Sequence, residues 1–314
     1  MDLLLLGLSR FARRRVLPAA ATLAGVGRVH VASRSVPDDA LAASVSGGSA
    51  HRDYARALAE TPPGLVYVSL VNAAHVEWVE AALAAGHHVV VDKPAVLALA
   101  DAERLVARAA ARGLLLAEAT TYAWHPLVPA LRAVFAEHGA APAQVTATFT
   151  PPVPANDFRH RRASGGGALA DLGPYAVSVG RLLWDADPVG VSAVTVARGP
   201  EVETAFSALL DYGGGRVVAG HFGFTSEYQN RLHALGPALS VEAERVFSAA
   251  PGEATRLLVR HRDATEVREI APGDAMAAFL GDALGAIAAG DVDRFGATLL
   301  RDARALARLR AAAA

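Results

Sequence analysis

Leu3-Leu4-Leu5-Leu6-Gly7-Leu8-Ser9-Arg10-Phe11-Ala12 decides how the first third of the chain is read. An unbroken leucine run ends at a glycine and opens into a helical pattern that continues to about residue 24. A buried strand, a tight turn and a helix start are the opening of a nucleotide-binding βα unit. Strand-like runs follow at residues 28–33, 65–70, 87–91 and 114–118, with helical patterns over 74–85 and 101–112. Short apolar strands alternating with helices predict an α/β architecture, a Rossmann-type doubly wound parallel sheet covered on both faces. Its crossovers should be right-handed.

The pattern changes near Tyr122. A helix over 127–137 leads into residues 144–150, which alternate with period two. Further strand-like runs lie at 191–197, 203–211, 216–224, 231–235, 256–262 and 265–270, interrupted by one helix over 167–184. Gly213-Gly214-Gly215 between two of these runs signals a hairpin turn, because glycine accepts positive φ. Consecutive strands with few helices predict an α+β domain on a largely antiparallel open sheet. The expected division is residues 1–121 as the dinucleotide-binding domain and 122–314 as the substrate and oligomerisation domain. The alanine-rich helical end from residue 274 is free to pack back on the first.

Bulk composition narrows the class. With 53% hydrophobic and 19% charged residues the chain is globular rather than disordered. A formal net charge of −1 provides no field to recruit nucleic acid or an anionic membrane, so any anion must be held by local groups. The absence of cysteine excludes disulfides, thiolate metal sites and cysteine nucleophiles and fits a cytoplasmic enzyme. At the start an acid precedes the short apolar run and arginines follow it, the reverse of a signal peptide. No stretch approaches the roughly 18 apolar residues of a membrane span. The histidines lack the spacing of metal ligands, and His87-His88 reads as alternating across a strand, so no metal is expected.

The dinucleotide fingerprint G-x-G-x-x-G/A is altered here. Gly7 still permits the tight turn and Ala12 is small enough for close helix packing, but Ser9 stands at the second glycine. Alone, this equally describes an ordinary βα turn. The end of the second strand says more. Enzymes that use NAD carry an acid there for the ribose 2′-hydroxyl, whereas this chain has Ser33-Arg34-Ser35, suited to a 2′-phosphate. In isolation Arg34 would be a solvated loop arginine. Given the fold, it points to NADP(H).

Two further segments carry chemistry. Asp92-Lys93-Pro94 follows a strand at the sheet edge where such folds bind ligands, and the proline restricts the backbone of Lys93. Lys-Pro after a strand is also common surface chemistry. Gly165-Gly166-Gly167 leaves room for a ligand to approach backbone, and Asp171 and Tyr175 share a face if the helix over them is regular. Pro174 disturbs that helix unless it lies in a first turn. The plain alternative is a capped helix with a tyrosine on its apolar stripe.

Together these segments resemble the Gfo/Idh/MocA family, named for glucose–fructose oxidoreductase and inositol dehydrogenase. That family has a strand followed by E-K-P in its nucleotide domain and G-G-G-x-L-x-D-x-G-x-[YH] in its second domain. Here the two read Asp92-Lys93-Pro94 and Gly165 through Tyr175. The likeness runs in order over nearly the whole chain, and the pair is specific where either motif alone is weak. Within the family the chain is most similar to sugar 3-ketoreductases acting on nucleotide-linked deoxysugars. The stretches that carry this are residues 13–18, Tyr67-Val68-Ser69-Leu70 with His75 and Trp78, residues 148–152, and Arg245-Val246-Phe247.

The resemblance implies that Gly7, Ser9, Arg10, Phe11, Ala12, Arg13, Ser33, Arg34, Tyr54, Leu70, His75, Asp92, Arg159 and Asp171 contact NADP(H). It implies that Lys93 and Tyr175 are the catalytic pair. Arg14 and Arg15 are expected at the substrate. Aspartate in place of the usual glutamate at residue 92 shortens its reach, and Ser9-Arg10 is an atypical phosphate loop. The implied reaction adds hydride to a sugar ketone, while an ammonium stabilises the alkoxide and supplies the proton. A dehydrogenase of cyclitols or free sugars shares every motif. An imine reductase fits Asp92-Lys93-Pro94 less well, and a redox-silent NADP-binding sensor would have no use for a proton donor. A homo-oligomer paired through the open face of the second sheet is expected, with no nucleic-acid or membrane partner.

Overall fold

In the computed structural model, which describes residues 1–314, the leucine run forms β1 (Leu3–Leu6) with all four side chains buried. A π-helical turn at Ala12–Val16 runs into α1 (Leu17–Ala21). Then come β2 (Val29–Ala32), α2 (Asp38–Ala42), β3 (Gly47–His51), α3 (Tyr54–Glu60), β4 (Leu65–Val68) and α4 (His75–Ala84). β5 (His88–Val91), α5 (Leu99–Ala110) and β6 (Leu116–Glu118) complete the sheet. The strands are all parallel, in the order β3-β2-β1-β4-β5-β6. β1, β2 and β4 are buried at every position, as strands covered on both faces must be. The winding reverses between β1 and β4, and ligands of such sheets bind beyond the carboxyl ends of those strands.

One strand of this region has no apolar signature. β3 is Gly-Gly-Ser-Ala-His, an edge strand largely open to solvent. Side-chain hydrogen bonds hold it in place of apolar packing. His30 Nδ1 accepts from the Ser49 amide at 3.1 Å, and Ser49 Oγ lies 2.8 Å from that nitrogen and 2.6 Å from His51 Nε2.

The second sheet begins after α6 (Leu127–Glu137) with β7 (Gln144–Phe149). α7 (Ala168–Asp171) and α8 (Gly173–Trp184) precede β8 (Gly190–Arg198), β9 (Glu203–Asp211) and β10 (Val217–Gly223). β11 (Asn230–Gly236), β12 (Leu239–Glu244), β13 (Thr255–His261) and β14 (Ala264–Ile270) extend it. The order is β14-β13-β12-β11-β7-β10-β9-β8, antiparallel except for the parallel pair β7–β10. The three turn glycines between β9 and β10 all have positive φ, and Asp211 Oδ1 accepts the Gly213 amide at 2.8 Å. α6 and α8 cover one face over a core that includes the stacked pair Phe206–Phe222. The single helix expected over 167–184 is two helices, and Pro174 sits in the first turn of the second, where its missing N–H costs nothing. Asp171 and Tyr175 therefore belong to different helices and do not share one regular face.

α9 (Ala275–Ala289) and α10 (Asp293–Ala313) close the chain. Two compact units result, Met1–Ala119 with Met276–Ala303 and Thr120–Ala275 with Arg304–Ala314. No helix is long and apolar enough to cross a membrane.

The first unit contains four histidines, His51, His75, His87 and His88, whose pKa values burial pushes below the usual imidazole range. His87 is held in its neutral form, with Nδ1 accepting from the Gly64 amide and Nε2 facing the Leu58 carbonyl. The unfolded chain takes up these protons near pH 6.5, about the free imidazole value, and the folded chain only below it. Stability from these groups is therefore full above that pH and lost as pH falls through it. The urea midpoint should drop between pH 7 and pH 5.5, with a shallower drop in His87→Asn; a midpoint flat over that window would contradict the assignment.

Candidate active site

Gly7 ends β1 with φ +91°, and its amide donates to Ala32 O on β2 at 2.9 Å. A Cβ at this position would collide with the Ser69 carbonyl at the end of β4, so glycine is required both by the turn and by the closeness of the two strand ends. Ser9 uses its hydroxyl as a helix cap, accepting from the Ala12 amide at 2.9 Å, and the same oxygen lies 2.8 Å from Ser69 Oγ. Ala12 is fully buried, as close helix–strand packing demands. Arg10, Phe11, Arg13 and Arg14 project to solvent, and Arg15 is half-buried.

Beyond β2, Ser33 is buried and its amide donates to His51 O at 3.0 Å. Arg34 is not a freely solvated loop arginine. Its guanidinium lies over the Tyr54 ring at 4.5 Å and the Trp78 ring at 5.3 Å, and those rings meet edge to face at 5.0 Å. Stacking leaves the planar fork of donors oriented. Asp53 stands 3.7 Å away, but both side chains are half exposed, so the pair is weak. An oriented cation and a glycine turn free of side chain, at neighbouring strand ends, fit a dinucleotide that carries a 2′-phosphate.

Asp92-Lys93-Pro94 leaves β5 at the next strand end. The Asp92 amide donates to Val68 O at 3.0 Å, and Tyr67 Oη and Ser69 Oγ donate to its carboxylate at 2.7 and 2.6 Å. The peptide between Lys93 and Pro94 is cis. His75, fully buried on α4, has Nδ1 2.9 Å from Pro94 O and Nε2 3.0 Å from Leu70 O. Two carbonyls would suit an imidazolium, but burial is the larger influence and holds the pKa down, so the neutral ring donates to one of them. The Ala95 amide donates to Glu118 Oε2 at 2.8 Å. Lys93 is thus anchored on both sides. It is also the only lysine among 30 lysine and arginine residues, a signal in the composition that motif reading overlooks.

In the second unit the glycine run meets its own chain. A Cβ at Gly166 would strike the Arg159 and Arg161 carbonyls, and one at Gly167 the Glu203 carboxylate, which accepts the Leu169 amide at 3.0 Å. Close chain approach, rather than room for a ligand, explains these glycines. The loop they hold carries Arg159, whose guanidinium sits 3.2 Å from Asp171 and 3.0 Å from Asp157. Tyr175, partly buried on α8, lies in an aromatic box with Phe149 at 5.0 Å, Phe247 at 5.4 Å and Tyr122 at 5.7 Å.

Residues 1–120 match the family described as "Oxidoreductase family, NAD-binding Rossmann fold", and residues 139–242 match "GFO/IDH/MocA C-terminal domain". A dTDP-3,4-didehydro-2,6-dideoxy-alpha-D-glucose 3-reductase of Streptomyces violaceoruber is 34% identical over 283 residues, 87% of this chain and 82% of that protein. A D-xylose 1-dehydrogenase (NADP(+)) of Haloferax volcanii is 28% identical over 67% of this chain and 65% of that protein. A 3-ketoreductase from Actinomadura kijaniata, solved with NADP and TDP-benzene, superposes with a TM-score of 0.92 at 28% identity, covering 100% of this chain and 98% of that one.

If the oriented guanidinium of Arg34 binds the 2′-phosphate, Arg34→Ala should weaken NADPH and hardly touch NADH. A hydrogen bond to a charged group contributes about 1.5–3 kcal/mol. Half exposure puts this one at the lower end, about tenfold in Kd. Equal affinity of the unmutated protein for both nucleotides, by fluorescence titration, would remove the assignment.

Proposed function

The chain belongs to the GFO/IDH/MocA family of oxidoreductases, and from that premise we propose that it reduces a keto group on a nucleotide-linked deoxysugar with NADPH. The observation that carries this reading is Lys93. The one lysine of the chain stands at a ligand-binding strand end, its backbone fixed by Asp92, His75 and Glu118. The likeness to reductases of dTDP-linked keto-sugars over most of the chain supports the substrate class.

When bound, the nicotinamide supplies hydride to the carbonyl carbon. The chain's own residues do the rest. The Gly7 turn and the amides of Ser9, Arg10 and Phe11 take the pyrophosphate, and Arg34 takes the 2′-phosphate. Tyr54, Leu70 and His75 shape the same edge. Arg159, braced by Asp157 and Asp171, serves the cofactor, and Arg14 and Arg15 serve the substrate diphosphate. The Lys93 ammonium neutralises the alkoxide as it forms and gives it a proton. Tyr175 shares or relays that proton. Residues 1–121 act as the dinucleotide-binding domain, and the domain over 122–314, built on the second sheet, carries substrate recognition. Val194, Val196 and Leu209, exposed on β8 and β9, support pairing of copies into a homo-oligomer through that sheet's open face. A cytoplasmic location completes the reading.

The test is turnover of dTDP-linked keto-sugars, with free aldoses and cyclitols as controls, read at the nicotinamide absorbance. Lys93→Met keeps most of the side-chain volume and removes the charge. It should leave NADPH binding nearly intact and lower kcat by about 10²–10⁴. Tyr175→Phe should cost less if it relays the proton and more if it donates it. Normal turnover by Lys93→Met on a confirmed substrate would refute the mechanism, and activity confined to free aldoses would move the substrate class.

A further inference from the structure

Asp92 sits at one end of a hydrogen-bond chain whose polarity can be worked out. Tyr67 is fully buried on β4 and its hydroxyl donates to Oδ1; Ser69 donates to Oδ2. A serine hydroxyl has one proton. With that proton given to Asp92, Ser69 Oγ accepts from Ser9, 2.8 Å away, and Ser9 Oγ accepts from the Ala12 amide. The chain therefore runs one way, from the amide of Ala12 through Ser9 and Ser69 to the carboxylate beside Lys93. The hydroxyl proton of Ser9 is committed to it, so Ser9 offers a phosphate its amide only. A glycine at position 9, as the usual fingerprint has, could not make this link.

We propose that Asp92 is the positioning residue of the proton donor, a carboxylate aimed by Tyr67 and Ser69 whose charge keeps Lys93 an ammonium, with Ser9 tying it to the phosphate loop. This rests on Lys93 being the donor. The other titratable groups around the segment agree with it. Burial works against the Asp92 charge, and the donors Ser69 and Tyr67, then Lys93, work for it. His75 on α4 is held neutral by burial and adds no competing cation. Glu118 on β6 is turned to the Ala95 amide. Tyr67 is pushed well above its usual range by burial and then by Asp92, so it stays a donor. The shorter reach of aspartate is met by two hydroxyls, Tyr67 on β4 and Ser69 just beyond its end.

Because Lys93 is the only lysine, lysine labelled with ¹³C at Cε yields a single resonance whose shift against pH reads its titration without turnover. Asp92→Asn should lower that midpoint by about one unit or more, the usual effect of losing an adjacent opposite charge. The alkaline limb of kcat for ketone reduction should move down with it, since the reaction needs the ammonium. Asp92→Glu, keeping the charge, should restore most of the midpoint. Ser69→Ala should shift it partway and Ser9→Gly less, with NADPH affinity changed less than kcat in both. If Asp92→Asn does not fold, Ser69→Ala and Asp92→Glu still decide. A midpoint unmoved in every folded variant overturns the proposal. A midpoint that moves as expected in a protein that reduces no keto-sugar would sink the functional reading and leave this inference standing.

Discussion

The close approach of Gly7 to the end of β4 governs the first unit. β1 and β4 are neighbours in the sheet, and the chain leaves them in opposite directions of winding. Their ends can touch only because residue 7 has no side chain to place against the Ser69 carbonyl. That contact brings Ser9 to Ser69, and the β4–β5 pairing brings Ser69 to Asp92. One missing methyl group thus joins the phosphate loop, the switch point of the sheet and the segment carrying Lys93. A side chain there would also carry the strain of a left-handed backbone.

The elements legible in the sequence are those whose stability comes from apolar burial. β1, β2 and β4 are continuous buried runs, and α6 and β9 lie where their periodicity places them. The elements without a pattern are held by something else. β3 depends on the histidines at 30 and 51 reaching Ser49, polar contacts that leave no apolar period. β12 does alternate, with Leu239, Val241 and Ala243 inward, but one of its three inward residues is alanine and the run is short. The break between α7 and α8 was marked by Pro174, which tolerates a first turn and little else.

The site was legible in a different way. Lys93, Arg34 and Gly7 stand at the carboxyl ends of β5, β2 and β1 in one parallel sheet, as the position of each after its strand implies. What could not be read was the purpose of small and polar residues, because purpose lies in contacts between distant segments. The glycines at 166 and 167 read as space for a ligand, yet the space is filled by the Arg159 and Arg161 carbonyls and by Glu203. Ser9 read as a damaged fingerprint, yet its hydroxyl caps the helix and reaches Ser69 just past β4. Arg34 gained an aromatic rail in Tyr54 and Trp78 that no local pattern announces.

Composition, however, speaks directly to the chemistry. This chain uses arginine for every fixed positive charge and lysine once. Guanidinium suits Arg34, which stacks on rings, and Arg159, which spans two carboxylates, because both tasks want a planar cation that never loses its proton. A proton donor needs the opposite property. Its charge must be lost and regained in each turnover, at a pH where guanidinium stays protonated throughout. Ammonium can do this beside a carboxylate that favours its charge, and the segment after β5 supplies one in Asp92, aimed by Tyr67 and Ser69. With Lys93 as the proposed proton donor, the division between one titratable cation and many permanent ones falls where that reaction would require it.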